Sequence, residues 1–186
     1  MNLLLRFIRV MIHAFFRSTI DLSKESVVVF RVFPHDIDFN IHMTNSRYLS
    51  LMDLGRVDLM LRSPLAKPVI TGQWKAVLGS VTLQFRRPLK LFQKISLHTR
   101  VIGWDRKWIY LEQKTIFNHQ LMSTAIAKCL FLDHHGIIVT ERLLKIFGSE
   151  STFPAMNITP VIQHWNALEE TFKTPKNQKS DLNEPS

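Results

Sequence analysis

The chain has 186 residues, 46% of them hydrophobic, which is room for one domain of ordinary size with a real core plus appendages. Its 24 Lys and Arg against 15 Asp and Glu give a net charge of +9, which favours anionic partners but does not choose among nucleic acid, a membrane surface and a phosphate-bearing small molecule. The single cysteine, Cys129, excludes an intramolecular disulfide and a cysteine-rich zinc site, and points to a reducing compartment, the cytoplasm.

The opening "MNLLLRFIRVMIHAFFRSTI" reads as an amphipathic helix within residues 1–22. At about 100° per residue, Arg6, Arg9, His13 and Arg17 fall in one stripe on an otherwise apolar helix. Charges every few residues argue against a transmembrane span, and no small-residue cleavage site follows. The pattern predicts peripheral contact of residues 1–20 with an anionic membrane surface, the arginines meeting headgroups; the competing reading is a helix docked on the domain or its dimer partner.

A domain over residues 23–150 follows. "SKESVVVFRVFP" is rich in β-branched and aromatic residues and predicts a first strand ending at Pro34. Asn45 to Leu61 carries too many apolar positions for a one-sided surface helix and predicts a helix buried nearly all round, which "SPLAKP" ends. Four strand-like runs come next. In "VLGSVTLQFRRP" the apolar side is Val77, Val81, Leu83 and Phe85; in "KISLHTRVIGWD" it is Ile95, Leu97 and Val101; in "KWIYLEQKTIFNH" it is Ile109, Leu111 and Phe117. "STAIAKCLFLDHHG" is apolar on both faces, as a central strand is, so Cys129 reads as an inert packed thiol. Short turns between these runs predict antiparallel hairpins. Residues 151–172 form a C-terminal extension, and residues 173–186, with two prolines and one large apolar residue, predict a disordered tail.

The fold class is therefore α+β: a long antiparallel sheet that must wrap one apolar helix, with an extra amphipathic helix in front. Such a sheet wrapped round a single helix is the hot-dog fold. The stretch "DIDFNIHMTNSRYL" resembles the signature of the 4-hydroxybenzoyl-CoA thioesterase-like acyl-CoA thioesterases, with Asp36, Asp38, Asn40, His42, Asn45 and Tyr48 in register and Arg56 further along the helix. Ile41 stands where that pattern usually has Gly, and Thr44 replaces the first Asn of an Asn pair, departures that resemble the branch containing thioesterase superfamily member six.

Thioester hydrolysis needs a group to attack the carbonyl, or to activate water against it, and donors for the oxyanion that develops. A loop carboxylate supplies the first, and the unpaired amides that open a helix supply the second. The resemblance implies Asp38 as nucleophile or general base, with Asn45 and His42 fixing the loop and orienting the carboxylate or the water. It also implies Asn45, Ser46 and Arg47 at the helix N-terminus as the oxyanion site, and Tyr48 and Met52 as the floor of an acyl pocket. Spacing alone favours plain helix capping; the resemblance reverses that for Asp38 and leaves Thr44 as the cap. Asp36 reads as structural, and Asp53 and Asp58 are reserve carboxylates, with Arg56 a candidate partner. Arg86, Arg87 and Lys90 near a strand end are candidates for the phosphates of coenzyme A. His98, His119, His134 and His135 lack the spacing of a metal site, and no metal or other cofactor is expected.

The expected function is hydrolysis of an acyl-CoA thioester by a homodimer or higher homo-oligomer, since the family pairs sheets edge to edge. The alternative is a non-catalytic acyl-thioester-binding scaffold at a membrane surface. A hydratase pattern is disfavoured because Asp38 and His42 are four apart with no intervening Pro. Nucleic-acid binding is disfavoured because no recognisable binding motif accompanies the charge.

Overall fold

The computed structural model describes residues 3–21, 23–146 and 160–172. In chain order the elements are α1 (Leu3–Phe16), β1 (Ser26–Arg31), a 3-10 turn at Pro34–Asp36, α2 (Asn45–Leu61), α3 (Ala66–Ile70), β2 (Lys75–Phe85), β3 (Lys94–Trp104), β4 (Ile109–Phe117), β5 (Gln120–Asp133), β6 (Gly136–Ile138), α4 (Thr140–Ile146) and α5 (Pro160–Thr171). The strands pair antiparallel in the order β1-β3-β4-β5-β2, with β6 added to β5. α2 packs on one face of this sheet and buries Leu51, Met52, Leu54 and Leu59 against Phe30, Ile95, Leu97, Val101 and Leu111. This is the hot-dog arrangement.

Alternation sets which side chains meet α2, because directly paired residues share a face. One cross-strand row is polar: Ser26 pairs Thr99, and Thr99 pairs Gln113. Gln113 donates to Met52 O at 2.8 Å and to the Thr99 hydroxyl at 3.1 Å, and it accepts from Arg56 at 2.6 Å; Ser26 donates to Asp58 at 2.5 Å. Buried polar groups require such partners, so the row fixes where α2 sits along the sheet. At Gly55 the helix backbone comes so close that a Cβ would lie 2.7 Å from both Leu97 and Thr99.

Three expectations change. α2 spans the predicted residues but is open on one side, where Leu49 and Asp53 are exposed. On β2 a register shift between Leu78 and Ser80 changes the phase, so Leu78, paired with Cys129, shares the inward row with Val81, Leu83 and Phe85, and Val77 leaves it. Trp108 causes the crowding there, lying 2.3 Å from where a Gly79 Cβ would be. The third concerns α1. The buried face of α1 is Arg6, Val10 and Ala14; of the basic stripe, Arg6 is fully buried, Arg9 donates to Val29 O, and Arg17, just past the helix, donates to Val27 O at 3.0 Å and lies 3.8 Å from the Asp58 carboxylate, while His13 is exposed. The outer face is apolar instead, with Leu4, Leu5, Ile8, Ile12, Phe15 and Phe16 exposed.

The two sheet edges differ accordingly. Arg9 of α1 and Arg17 just past its end cover carbonyls of β1, whereas β2 has no neighbour on its outer side among the described residues. On the face of the sheet away from α2, the C-terminal extension supplies α5, held by Lys128. That ammonium donates to Asn166 at 2.8 Å, pairs with Glu169, and lies over the Trp108 and Trp165 rings at 5.3 and 5.2 Å. The segment 173–186 that the sequence assigns to a disordered tail lies outside the described residues.

Candidate active site

The loop before α2 closes on itself. Ile37 and Met43 form an antiparallel bridge, Asp38 N–H donates to His42 O at 2.9 Å, and Ile41 N–H donates to Asp38 O at 3.0 Å. A turn this tight forces Ile41 to φ 62°, the left-handed region that glycine adopts freely. The family pattern usually has glycine at that position. Here a β-branched residue occupies it, with its side chain 71% exposed.

The two acids of the motif are divided between two tasks. Asp36 is fully buried and receives Arg6 of α1 at 3.0 and 2.5 Å, Arg47 Nε at 3.0 Å and the Phe33 N–H at 2.9 Å. It anchors the loop. Asp38 is half-buried, and its Oδ1 accepts the N–H groups of Asn40 at 2.9 Å and His42 at 3.4 Å. Its Oδ2 has no hydrogen-bond partner among the described residues. A carboxylate oriented through one oxygen, with the other unpaired, is free to engage a ligand.

Asp38 opens on a cleft of about 360 Å³ lined by Asn40, His42, Asn45, Tyr48, Phe85, Arg86 and Arg87. The Tyr48 and Phe85 rings meet edge to face at 5.1 Å and form its apolar part. Burial raises the Tyr48 phenol above its ordinary pKa, with the Leu89 main-chain hydrogen bond working the other way, so it stays neutral at physiological pH. α2 begins at the cleft. Its N-cap, Thr44, makes no side-chain capping bond and instead shares a 3.0 Å hydrogen bond with Ser46. Arg47 N–H closes the first turn on Thr44 O, which leaves the amides of Asn45 and Ser46 as the first-turn donors without an acceptor among the described residues.

The sequence-predicted residues therefore divide. Asp38, His42, Asn45 and Tyr48 converge, joined by Arg86, whose side chain makes no hydrogen bond among the described residues, and by Arg87, which donates to Gln120 at 2.6 Å. Lys90 does not line the cleft, Met52 is sealed in the core, and the Arg47 side chain is committed to Asp36 and His35 O. The reserve carboxylates are engaged elsewhere, Asp53 with Arg56 and Asp58 with Ser26 and Arg62. Sequence reasoning missed Asn40 and Phe85 as lining residues. It also missed Arg6 as a partner of the loop, since in the sequence Arg6 is only one member of the basic stripe of α1.

The model of the thioesterase-like superfamily matches residues 32–166, a span that includes the loop, the cleft and the whole sheet apart from β1. The chain belongs to the thioesterase-like superfamily. Within it, the chain is 36% identical over 162 residues to protein THEM6 of Danio rerio, 87% of this chain and 79% of that one. It is 33% identical over 118 residues to a probable thioesterase of Saccharomyces cerevisiae, 62% of this chain and about half (51%) of that relative's length. Among solved structures, the probable thioesterase YbaW of Escherichia coli aligns with TM-score 0.60 at 18% identity, over 65% of this chain and 94% of that one. A gentisyl-coenzyme A thioesterase aligns with TM-score 0.59 at 17% identity, over 67% of this chain and 100% of that one. At these identities the structural likeness speaks to the fold, and superfamily membership speaks to thioester chemistry.

Proposed function

We propose that this superfamily member hydrolyses acyl-CoA thioesters, with Asp38 as nucleophile or general base. The observation that carries the reading is the Asp38 carboxylate, oriented by two loop amides through Oδ1 and unpaired at Oδ2, in one cleft with the opening of α2. A thioester carbonyl lying against the Asn45 and Ser46 amides has its developing oxyanion stabilised there. As nucleophile, Asp38 Oδ2 bonds to the carbonyl carbon, the C–S bond breaks, coenzyme A leaves as thiolate and takes a proton, and water then hydrolyses the mixed anhydride. As general base, Asp38 takes the proton of the attacking water, and the same C–S bond breaks. Asn45 and His42 orient the water or the carboxylate. Arg86, with Arg87, meets the phosphates of coenzyme A, and Tyr48 and Phe85 bound the acyl group. Gentisyl-coenzyme A thioesterase among the structural neighbours supports a coenzyme A ester as substrate.

The test is thiol release from a panel of acyl-CoA esters by the wild type beside Asp38→Asn. The substitution is expected to lower kcat about 10²- to 10⁴-fold. Rapid-quench mass spectrometry then separates the two versions, since only the nucleophile forms an acyl-enzyme. Acyl-CoA binding without turnover in the wild type would sink the hydrolase and support a non-catalytic acyl-thioester scaffold.

The proposal extends to two surfaces. The open β2 edge, with Val77, Leu78 and Phe85 exposed, takes a second copy of the chain and forms a homodimer. The outer apolar face of α1 rests in an anionic membrane interface, so that the protein is peripheral to the membrane.

A further inference from the structure

α1 precedes the span matched by the superfamily, yet it reaches the buried base of the loop that carries Asp38. Arg6 lies on the buried face of α1 with Val10 and Ala14. Its Nη1 donates to Asp36 Oδ1 at 3.0 Å, and its Nη2 donates to Asp36 Oδ2 at 2.5 Å and to Arg31 O at 3.0 Å. The guanidinium also lies 5.5 Å from the centre of the Phe33 ring. On its other side, the same Asp36 carboxylate takes Arg47 from the first turn of α2, and the Asp36 carbonyl accepts the Thr44 N–H at 2.9 Å. One buried carboxylate thus joins three segments: the terminal helix, the base of the loop that carries Asp38, and the start of α2 that offers the oxyanion donors.

A carboxylate with no exposure needs this much compensation, and removing one guanidinium leaves a buried charge underpaired. The bidentate fork also fixes direction, which a single ammonium does not. At its far end the Asp38 loop is held by Met43, which is buried in the core and whose N–H donates to Leu89 O at 2.8 Å. Between these ends the tip carries Phe39 at 93% exposure and the left-handed Ile41, with hydrogen bonds that lie within the turn. Asp36 is the anchor that ties the near end of the loop to the first turn of α2.

We propose that Arg6 is a positioning residue of the active site: through the buried Arg6–Asp36–Arg47 network, α1 holds the Asp38 loop against the start of α2. The inference rests on the hydrolase reading for its catalytic consequence and on geometry alone for its structural one. If α1 lies at a membrane, the network also makes the site responsive to how that helix is seated.

The experiment compares Arg6→Lys and Arg6→Gln with Val10→Ala, which loosens the same buried face of α1 without touching the network. Two readouts are taken: amide hydrogen exchange over residues 38–44, and kcat and KM for an acyl-CoA ester. In folded Arg6 variants the loop amides are expected to exchange at least about tenfold faster. kcat is expected to fall about 10- to 100-fold with KM little changed, the signature of lost geometry in the transition state. Val10→Ala is expected to lower the melting midpoint but leave both readouts near wild type. Loop exchange and kcat at wild-type values in a folded Arg6→Lys overturn the proposal, and so does an equal loss of kcat in Val10→Ala, which would make α1 a plain structural support. A wild type without turnover on any CoA ester sinks the hydrolase reading, while the exchange comparison still decides whether Arg6 holds the loop.

Discussion

The polar crowding before α2 resolves at single residues. Asp36 and Asp38 are chemically alike and two positions apart, and nothing in their spacing says which one is buried; the difference comes from Arg6, thirty residues upstream, which claims Asp36. The match to the family pattern singled out Asp38 and left Asp36 as structural, whereas what Asp36 is fastened to was illegible because its partner Arg6 lies outside the motif. Ile41 is the clearest local cost. A side chain in the left-handed region is disfavoured by about 1–2 kcal/mol, while glycine loses about 0.5–1 kcal/mol more than other residues in backbone entropy on folding. Ile41→Gly should therefore stabilise the protein by about 0.5–1 kcal/mol, read as a rise of about 1–4 °C in melting midpoint. An unchanged or lower midpoint would mean that the exposed isoleucine makes a contact worth more than the strain. Cys129 gives a second prediction. Burial pushes its thiol up to about 11, with Arg56 pulling modestly the other way, so at pH 8 it is protonated and a poor nucleophile. Dithionitrobenzoate should label it slowly in the native protein at pH 8, faster as pH approaches 11, and at once in urea; rapid native labelling at pH 8 would contradict the assignment.

At the scale of elements, periodicity located α2 and four strands because each depends on neighbours in the chain. It failed where a distant residue decides. The phase of β2 changes at a register shift beside Gly79, over which Trp108 of the β3–β4 turn lies, and no pattern within "VLGSVTLQF" announces it. Likewise, the stripe of Arg6, Arg9, His13 and Arg17 was legible as a stripe, but helical period says which residues share a face and not which face turns inward. Available partners decide that. The buried Asp36 and the edge carbonyls of β1 bind guanidinium groups better than they tolerate hydrocarbon, so the face that carries Arg6, Val10 and Ala14 docks and the face of Leu4, Leu5, Ile8 and Ile12 is left outside. The seating of α2 yields a prediction in which two effects oppose each other. Gly55→Ala improves helix propensity by about 1 kcal/mol, but its Cβ would sit 2.7 Å from Leu97 and Thr99, and overpacking of this kind costs about 1–3 kcal/mol. The packing term should win, giving a lower urea midpoint at unchanged m-value; a stabilised variant would show that α2 can lift off the polar row without penalty.

Across the whole molecule, the net charge of +9 and the apolar face of α1 act together. A helix of 14 residues rises about 21 Å, short of the roughly 30 Å of a bilayer core, and no described helix is long and apolar enough to cross a membrane. The outer face of α1 carries no charge, while Arg9, Arg17, Lys24 and Arg31 outnumber Asp21 and Glu25 beside it. That combination suits a helix lying in the plane of an anionic interface, where buried apolar area and headgroup attraction add. The intact protein should float with vesicles of phosphatidylcholine and phosphatidylglycerol, less with phosphatidylcholine alone, and less as salt rises. Ile8→Glu combined with Ile12→Glu should abolish flotation while leaving the mass by light scattering and the melting midpoint unchanged, because neither side chain belongs to the buried face. Val77→Lys on the β2 edge should do the reverse, reducing the mass to that of a monomer and sparing flotation. If the α1 variant instead lowers the mass and the wild type ignores both kinds of vesicle, the helix covers a second copy of the chain and the membrane assignment falls.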